Sequence, residues 1–238
     1  AMNVAFCLAE HYKKRTVLVD LDYQFGMIAK NLDLNTQFGI RELFDHPDRG
    51  IDITLVRRMT APYGERLQVI SAPNDLKQTP PISPETIRSL IHTLKEEFDC
   101  VVIDLPHVWA NWTSAAISSS TNVVLVAQLW LRSITHAARL LGIWRDIGVD
   151  AGNISIVINR SGAKFKEGVS QRDFERVCGH GIDFSLANDI KTIVTAENQG
   201  KTIPELGNSP LSQQFHQLAG ILSGLAEGGH KAPAAEKF

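Results

Sequence analysis

Apolar residues along this 238-residue chain fall into two rhythms. Compact runs of β-branched and aliphatic residues occur at 17–19 (VLV), 67–70 (LQVI), 101–103 (VVI), 122–127 (NVVLVA) and 154–158 (ISIVI). Runs of that length and composition predict strands buried on both faces, as in a parallel sheet. A last short strand is predicted at 182–186. Elsewhere the apolar positions recur every three or four residues, which predicts helices. Ile51, Leu55 and Met59 share one face; Ile87, Leu90, Ile91, Leu94 and Phe98 share another. Further helices are predicted over 133–146, with Ile134, Ala137, Ala138, Leu141 and Trp144 together, and over 170–178, 189–197 and 211–225. Residues 1–10 read as a helix without a cap before it, and a short helix is predicted near 40–44.

The punctuation agrees with those rhythms. Ser83-Pro84-Glu85 is a helix start, with a serine N-cap, proline at the first position and an acid in the first turn. The stretch 71–84 carries four prolines and is predicted to be irregular. The last residues, 227–238, are small and polar without periodicity and are predicted to be a disordered tail. The hydrophobic pattern gives no reason to divide residues 1–226, which predicts a single α/β domain with a mostly parallel sheet and helices on both faces.

Composition narrows the partners. The net charge of −2 and a pI near 6.5 offer no electrostatic footprint for nucleic acid. Cys7, Cys100 and Cys178 lie far apart without metal-ligand spacing, as expected of reduced, buried thiols in a cytoplasmic protein. No apolar run reaches the ~18 residues of a membrane span. The chain lacks a basic amphipathic tail, so neither membrane insertion nor membrane gripping is expected.

The chemistry gathers at strand ends. The run 17–19 ends in Asp20 and Asp22, followed by a turn closing at Gly26; the run 101–103 ends in Asp104, followed by Leu105-Pro106. Open α/β sheets bind ligands at the carboxyl ends of their strands. Two such strands ending in acids suit a Mg²⁺ ion and a polyphosphate, since a hard cation takes oxygen ligands directly or through water. Arg57-Arg58 reads as a solvated helix end, with contact to an acidic partner as the alternative; His107 reads as a loop histidine with no evident partner rather than a proton shuttle or ligand, and Trp130 and Trp144 as core or interface residues.

VLVDLDYQFG and VVIDLPH resemble the second acidic motif and the Walker B strand of the MinD/ParA family of deviant Walker-type ATPases, most of all its CpaE/TadZ branch, which serves Flp (Tad) pilus assembly. The likeness runs over roughly residues 1–225. It implies an ATP-binding, Mg²⁺-dependent protein that dimerises with nucleotide and works with pilus-assembly or polar-localisation proteins in the cytoplasm, at the cell pole. It implies catalytic roles for Asp22 and Asp20, and Mg²⁺ held through water by Asp104. Adenine recognition would fall to Asn159, with Arg160 and the loop around Pro204 beside the base. By itself an asparagine after a strand is a turn residue, although its amide does offer a donor and an acceptor together. The resemblance also implies a strand order of 67–70, 17–20, 100–104, a further strand leading into a glycine-rich phosphate loop, then 123–127, 154–158 and 182–185. No G-x-x-x-x-G-K-[ST] occurs in the sequence, so that strand and loop are expected upstream of it. The chain alone is then expected to hold ATP poorly. Two alternatives remain. One is a pseudo-ATPase platform, favoured by His107 and Val108 where active relatives carry Ala-Gly. The other is a ParA-type partition ATPase.

Overall fold

The computed structural model describes residues 1–45, 50–73, 82–162 and 168–225. The prolines at 80 and 81 and the tail at 227–238 lie outside them. Among these described residues seven strands form two sheets. The first holds β1 (Thr16–Asp20), β2 (Thr60–Tyr63), β3 (Leu67–Ile70) and β4 (Cys100–Asp104) in the order β2-β3-β1-β4. The second holds β5 (Val123–Ala127), β6 (Ile154–Ser161) and β7 (Phe184–Ala187) in the order β5-β6-β7. All pairings are parallel except β2 with β3. β4 ends one sheet and β5 ends the other, and they share no ladder. That is the break expected from the implied strand order, in which these two runs are not neighbours.

β1 illustrates why the apolar runs form a two-faced layer. Val17 and Val19 pack with α3 (Glu42–Asp45), α4 (Ile53–Met59) and α5 (Pro84–Glu97) on one face, while Leu18 packs under α1 (Met2–Phe6) and α2 (Ile28–Asn31) on the other. All three are fully buried. The second sheet repeats the pattern. Ile156 and Ile158 meet α7 (Leu131–Asp146) and α8 (Gln171–Cys178), whereas Val157 meets α9 (Ile190–Asn198) and α10 (Pro210–Ser223). Two elements tie the sheets together. Leu105, just after β4, packs in the cores of both. Residues Cys7 and Leu8, beyond α1, pack against Val102 of β4 and Ala219 of α10.

Local signals explain most boundaries. Ser83, Asp52, Ser170, Asp189 and Ser209 each accept a backbone N–H from the first turn of their helix. Gly179 and Gly224 end α8 and α10 in the left-handed conformation, which costs a glycine nothing.

Several elements depart from the sequence reading. β2 is an edge strand of TAPY, and the helix Asn111–Ser118 (α6) follows β4 where only a loop was expected. β7 begins at 184 rather than 182, because Asp183 turns its carboxylate back to accept the Ile156 N–H at 2.7 Å. Arg57 and Arg58 are not simply solvated. Arg57 pairs with Glu97 at 2.9 Å, and Arg58 pairs with Glu42 at 3.1 Å and lies over the Phe38 ring. Trp144 is buried, but Trp130 is exposed. Cys7 and Cys178 are buried and Cys100 half-buried, all as free thiols.

Candidate functional site

The parallel register of β1 and β4 sets Asp20 opposite Asp104 at the carboxyl end of the first sheet. Adjacent strands lie about 4.8 Å apart, so the two acids are immediate neighbours. The chain then crosses between them: Leu21 donates its N–H to the Asp104 carbonyl at 2.9 Å.

Asp20 organises the loop that follows. It is only 1% exposed, and its two carboxylate oxygens accept the backbone N–H groups of Asp22 at 3.1 Å and Ile28 at 3.2 Å. Asp22 in turn accepts the Phe25 N–H on its side chain at 3.0 Å and the Gly26 N–H on its carbonyl at 2.8 Å. Gly26 is a close-approach glycine. A Cβ there would stand 2.4 Å from Ala72 Cβ and 2.5 and 2.6 Å from the Asp20 oxygens. Only a residue without a side chain lets the loop fold over the buried acid.

Burial pushes the Asp20 carboxyl up from 3.8 to about 6. The two N–H groups oppose that rise, and the charges of Asp104 and Asp22 add to it. An acid held in this way is neutral or charged according to what stands nearby. A cation would draw it to the charged form.

Among the described residues no three acid, histidine or cysteine side chains converge to cage a metal ion on their own. Mg²⁺ keeps several waters and takes one or two carboxylates plus phosphate oxygens. Asp104 and Asp22, both only partly buried, are the groups available to such an ion.

The second sheet contributes Asn159, at the carboxyl end of β6. Its side-chain oxygen accepts the N–H of Arg160 at 2.9 Å. Arg160 is exposed and left-handed at φ 55°, and the ladder with β7 is irregular between Ile158 and Ser161. Pro204 lies in a short 3-10 turn, Ile203–Leu206. Glu205 accepts the Thr202 N–H and hydroxyl, both at 2.7 Å, and also the Tyr63 hydroxyl. Ile203 shares an apolar cluster with Val157 of β6. The structure thus joins Asp20, Asp22 and Asp104 on one sheet. It places Asn159 and Arg160 on the other, while the turn that holds Pro204 is bonded to Asn3 of α1 and to Tyr63 of β2.

The surroundings of three side chains here were not legible in the sequence. His107 does have a partner: its ring lies 5.4 Å from that of His136 on α7. Gln128 Oε1 and Asn188 Oδ1, just beyond the carboxyl ends of β5 and β7, are buried acceptors that find no donor among the described residues. Their only signal in the sequence is that each amide directly follows a strand run or its last residue.

No family model matches the chain. In sequence it is 27% identical over 146 residues to the septum site-determining protein MinD of Thermotoga maritima. That alignment spans 60% of this chain and 54% of the relative, so the chain matches about half the length of that protein. In structure it superposes on a ParA family ATPase from Chlorobium tepidum with a TM-score of 0.82 at 20% identity, covering 91% of this chain and 90% of the other. The septum site-determining protein MinD of Pyrococcus horikoshii, solved with Mg-ADP, gives a TM-score of 0.79 at 16% identity over 97% and 91%. The fold is that of the MinD/ParA ATPases. The sequence neighbours agree with that fold.

Among the described residues no helix is long and apolar enough to cross a membrane.

Proposed function

We propose that this chain carries the Mg²⁺-binding acids of an ATPase-like localisation and assembly factor that serves Flp (Tad) pili through nucleotide-dependent dimerisation. The observation that carries the reading is the buried Asp20 set in register with Asp104, under a loop whose only tolerated residue at 26 is glycine. In this reading Asp104 holds Mg²⁺ through a water, and Asp22 orients the attacking water. Asp20 fixes the loop and supplies a second negative charge to the metal's surroundings. Asn159 reads the adenine edge beside Arg160 and the Pro204 turn. Mg²⁺, when bound, neutralises charge on the phosphate oxygens. A strand inserted between β4 and β5 and ending in a glycine-rich loop would present backbone N–H groups to those phosphates. Likeness to MinD and ParA proteins supports the ATPase class. The pilus assignment rests on the two acidic motifs and their resemblance to the CpaE/TadZ branch.

A second reading, a platform that binds partners without turnover, draws support from the loop after Asp104. There His107, Val108 and Trp109 are bulky and exposed. The ParA-type partition reading shares the fold, but the net charge of −2 offers it no overall excess of positive charge for DNA. ATP turnover by the full-length protein and its Asp22→Ala variant separates the readings. Turnover that the variant loses supports the ATPase. Equal turnover in both overturns the assignment of Asp22. Mg-ATP binding without turnover in either favours the platform.

A further inference from the structure

The helix α1 does not end as an α-helix. Its last turn, Cys7–His11, is a π-turn closed by the Tyr12 N–H on the Cys7 carbonyl at 3.0 Å. The wider turn brings His11 over His216 of α10. The two rings are stacked with centroids 4.6 Å apart and planes 27° apart. Tyr12 completes the contact, its ring edge-on to His11 at 4.8 Å and its hydroxyl donating to the His216 carbonyl at 3.1 Å. Beneath the rings runs the apolar seam of Cys7, Leu8 and Ala219. This seam joins the helix that covers the first sheet to a helix that covers the second.

Few charges surround the stack. α10 has no acidic or basic residue besides His216, and β7 has none at all. α1 carries no acidic or basic side chain. In the π-turn, the Glu10 carboxylate is turned away to accept the N–H groups of Glu65 and Arg66 at 2.8 and 3.0 Å. In the Ile203–Leu206 turn, Glu205 is held by Thr202 and Tyr63. Burial pushes the Cys7 thiol up to about 12, so it is neutral. Lys13 and Lys14 follow in the chain and bring only positive charge. Among the described residues neither ring has a carboxylate at ion-pair distance. Nothing nearby compensates a proton on either imidazole, still less on both.

We infer that the His11–His216 stack is a proton-sensitive clasp: neutral, it holds α10 against the end of α1, and protonation of both rings loosens that seam. Two imidazolium ions in face-to-face contact repel, whereas two neutral rings, or one of each, do not. Burial and then the neighbouring His11 push the His216 imidazole below its ordinary value. The unfolded chain therefore takes up the proton first as pH falls. Its share of stability is present above the ordinary histidine range and is lost as pH drops through about 6.5 and below.

The test uses the whole 238-residue chain, comparing melting temperatures at pH 7.5 and 5.5 for wild type and His216→Phe, which keeps a ring on the stack. Acids and histidines elsewhere titrate in both proteins and cancel in the difference. The wild type is expected to lose roughly 2–4 °C more than the variant on acidification. Equal losses overturn the clasp. Should the variant fail to fold, proton NMR of the wild-type imidazoles decides alone. One ring of the pair titrating below the ordinary histidine range sustains the clasp, and both titrating as independent, ordinary histidines overturns it.

Discussion

The carboxyl end of the first sheet and that of the second carry the same kind of burden, polar side chains just past apolar strands, and handle it differently. On the first, Asp20 is sealed under a loop, both its oxygens bonded to backbone and a glycine pressed against it. On the second, Asn159 bonds to the next residue's own N–H, Arg160 is exposed and left-handed, and two further amides, Gln128 and Asn188, have buried oxygens that find no donor among the described residues. The first end is pre-organised by the fold, whereas the second still has hydrogen-bonding capacity to give. A metal–phosphate site gains from charges fixed before the ligand arrives. A base-reading site needs amides whose bonds are left to the ligand. The contrast therefore matches the division of labour proposed for the two halves.

The largest effect that sharpens this comparison concerns Asp20 and pH. Its folded carboxyl is raised from 3.8 to about 6, so the stability it contributes is fully present below the unfolded value and is lost as pH rises through about 6. The shift corresponds to at most roughly 3 kcal/mol. Urea unfolding between pH 4 and 6.5 should show this loss in the wild type and not in Asp20→Asn. Parallel pH profiles would mean that the acid is not held in an apolar setting.

A paired substitution asks whether one end is rigid and the other loose. Gly26→Ala places a methyl group inside contact distance of Ala72 and the Asp20 oxygens and should cost about 1–3 kcal/mol. Asn159→Ala removes a local, half-buried bond and should stay within about 0.5 kcal/mol. Denaturant midpoints at pH 7.5 measure both. Similar costs at the two positions would erase the distinction.

How much of this was legible in the sequence depends on where each element draws its stability. The runs at 17–19, 101–103, 123–127 and 154–158 announced their strands because both faces of each run are apolar. β2 did not, because TAPY has little strand character of its own. It is held by pairing with β3 and by Tyr63 packing edge-on against Phe6. α6 was missed for a similar reason: NWTSAAIS is rich in small residues and starts on an alanine, with Thr113 supplying the cap to Ala110. Asp20, Asp22 and Asp104 were marked as candidates by their positions after apolar runs. The acid strength of Asp20 was not legible, since it arises from a lid formed by residues up to Ile28 and by Ala72. Nor were the histidine pairs, whose partners meet only through the packing of α7 and α10.

The central claim is that the acids at the ends of β1 and β4 serve a Mg²⁺-bound polyphosphate. It is tested most directly by calorimetric titration of the full-length protein with ATP, with and without Mg²⁺, in wild type and Asp104→Asn. The account predicts Mg²⁺-dependent binding in the wild type. It predicts a loss of about tenfold or more in the variant, about 1.4 kcal/mol, with the circular dichroism unchanged. Equal Mg-ATP affinity in a folded Asp104→Asn protein would contradict it.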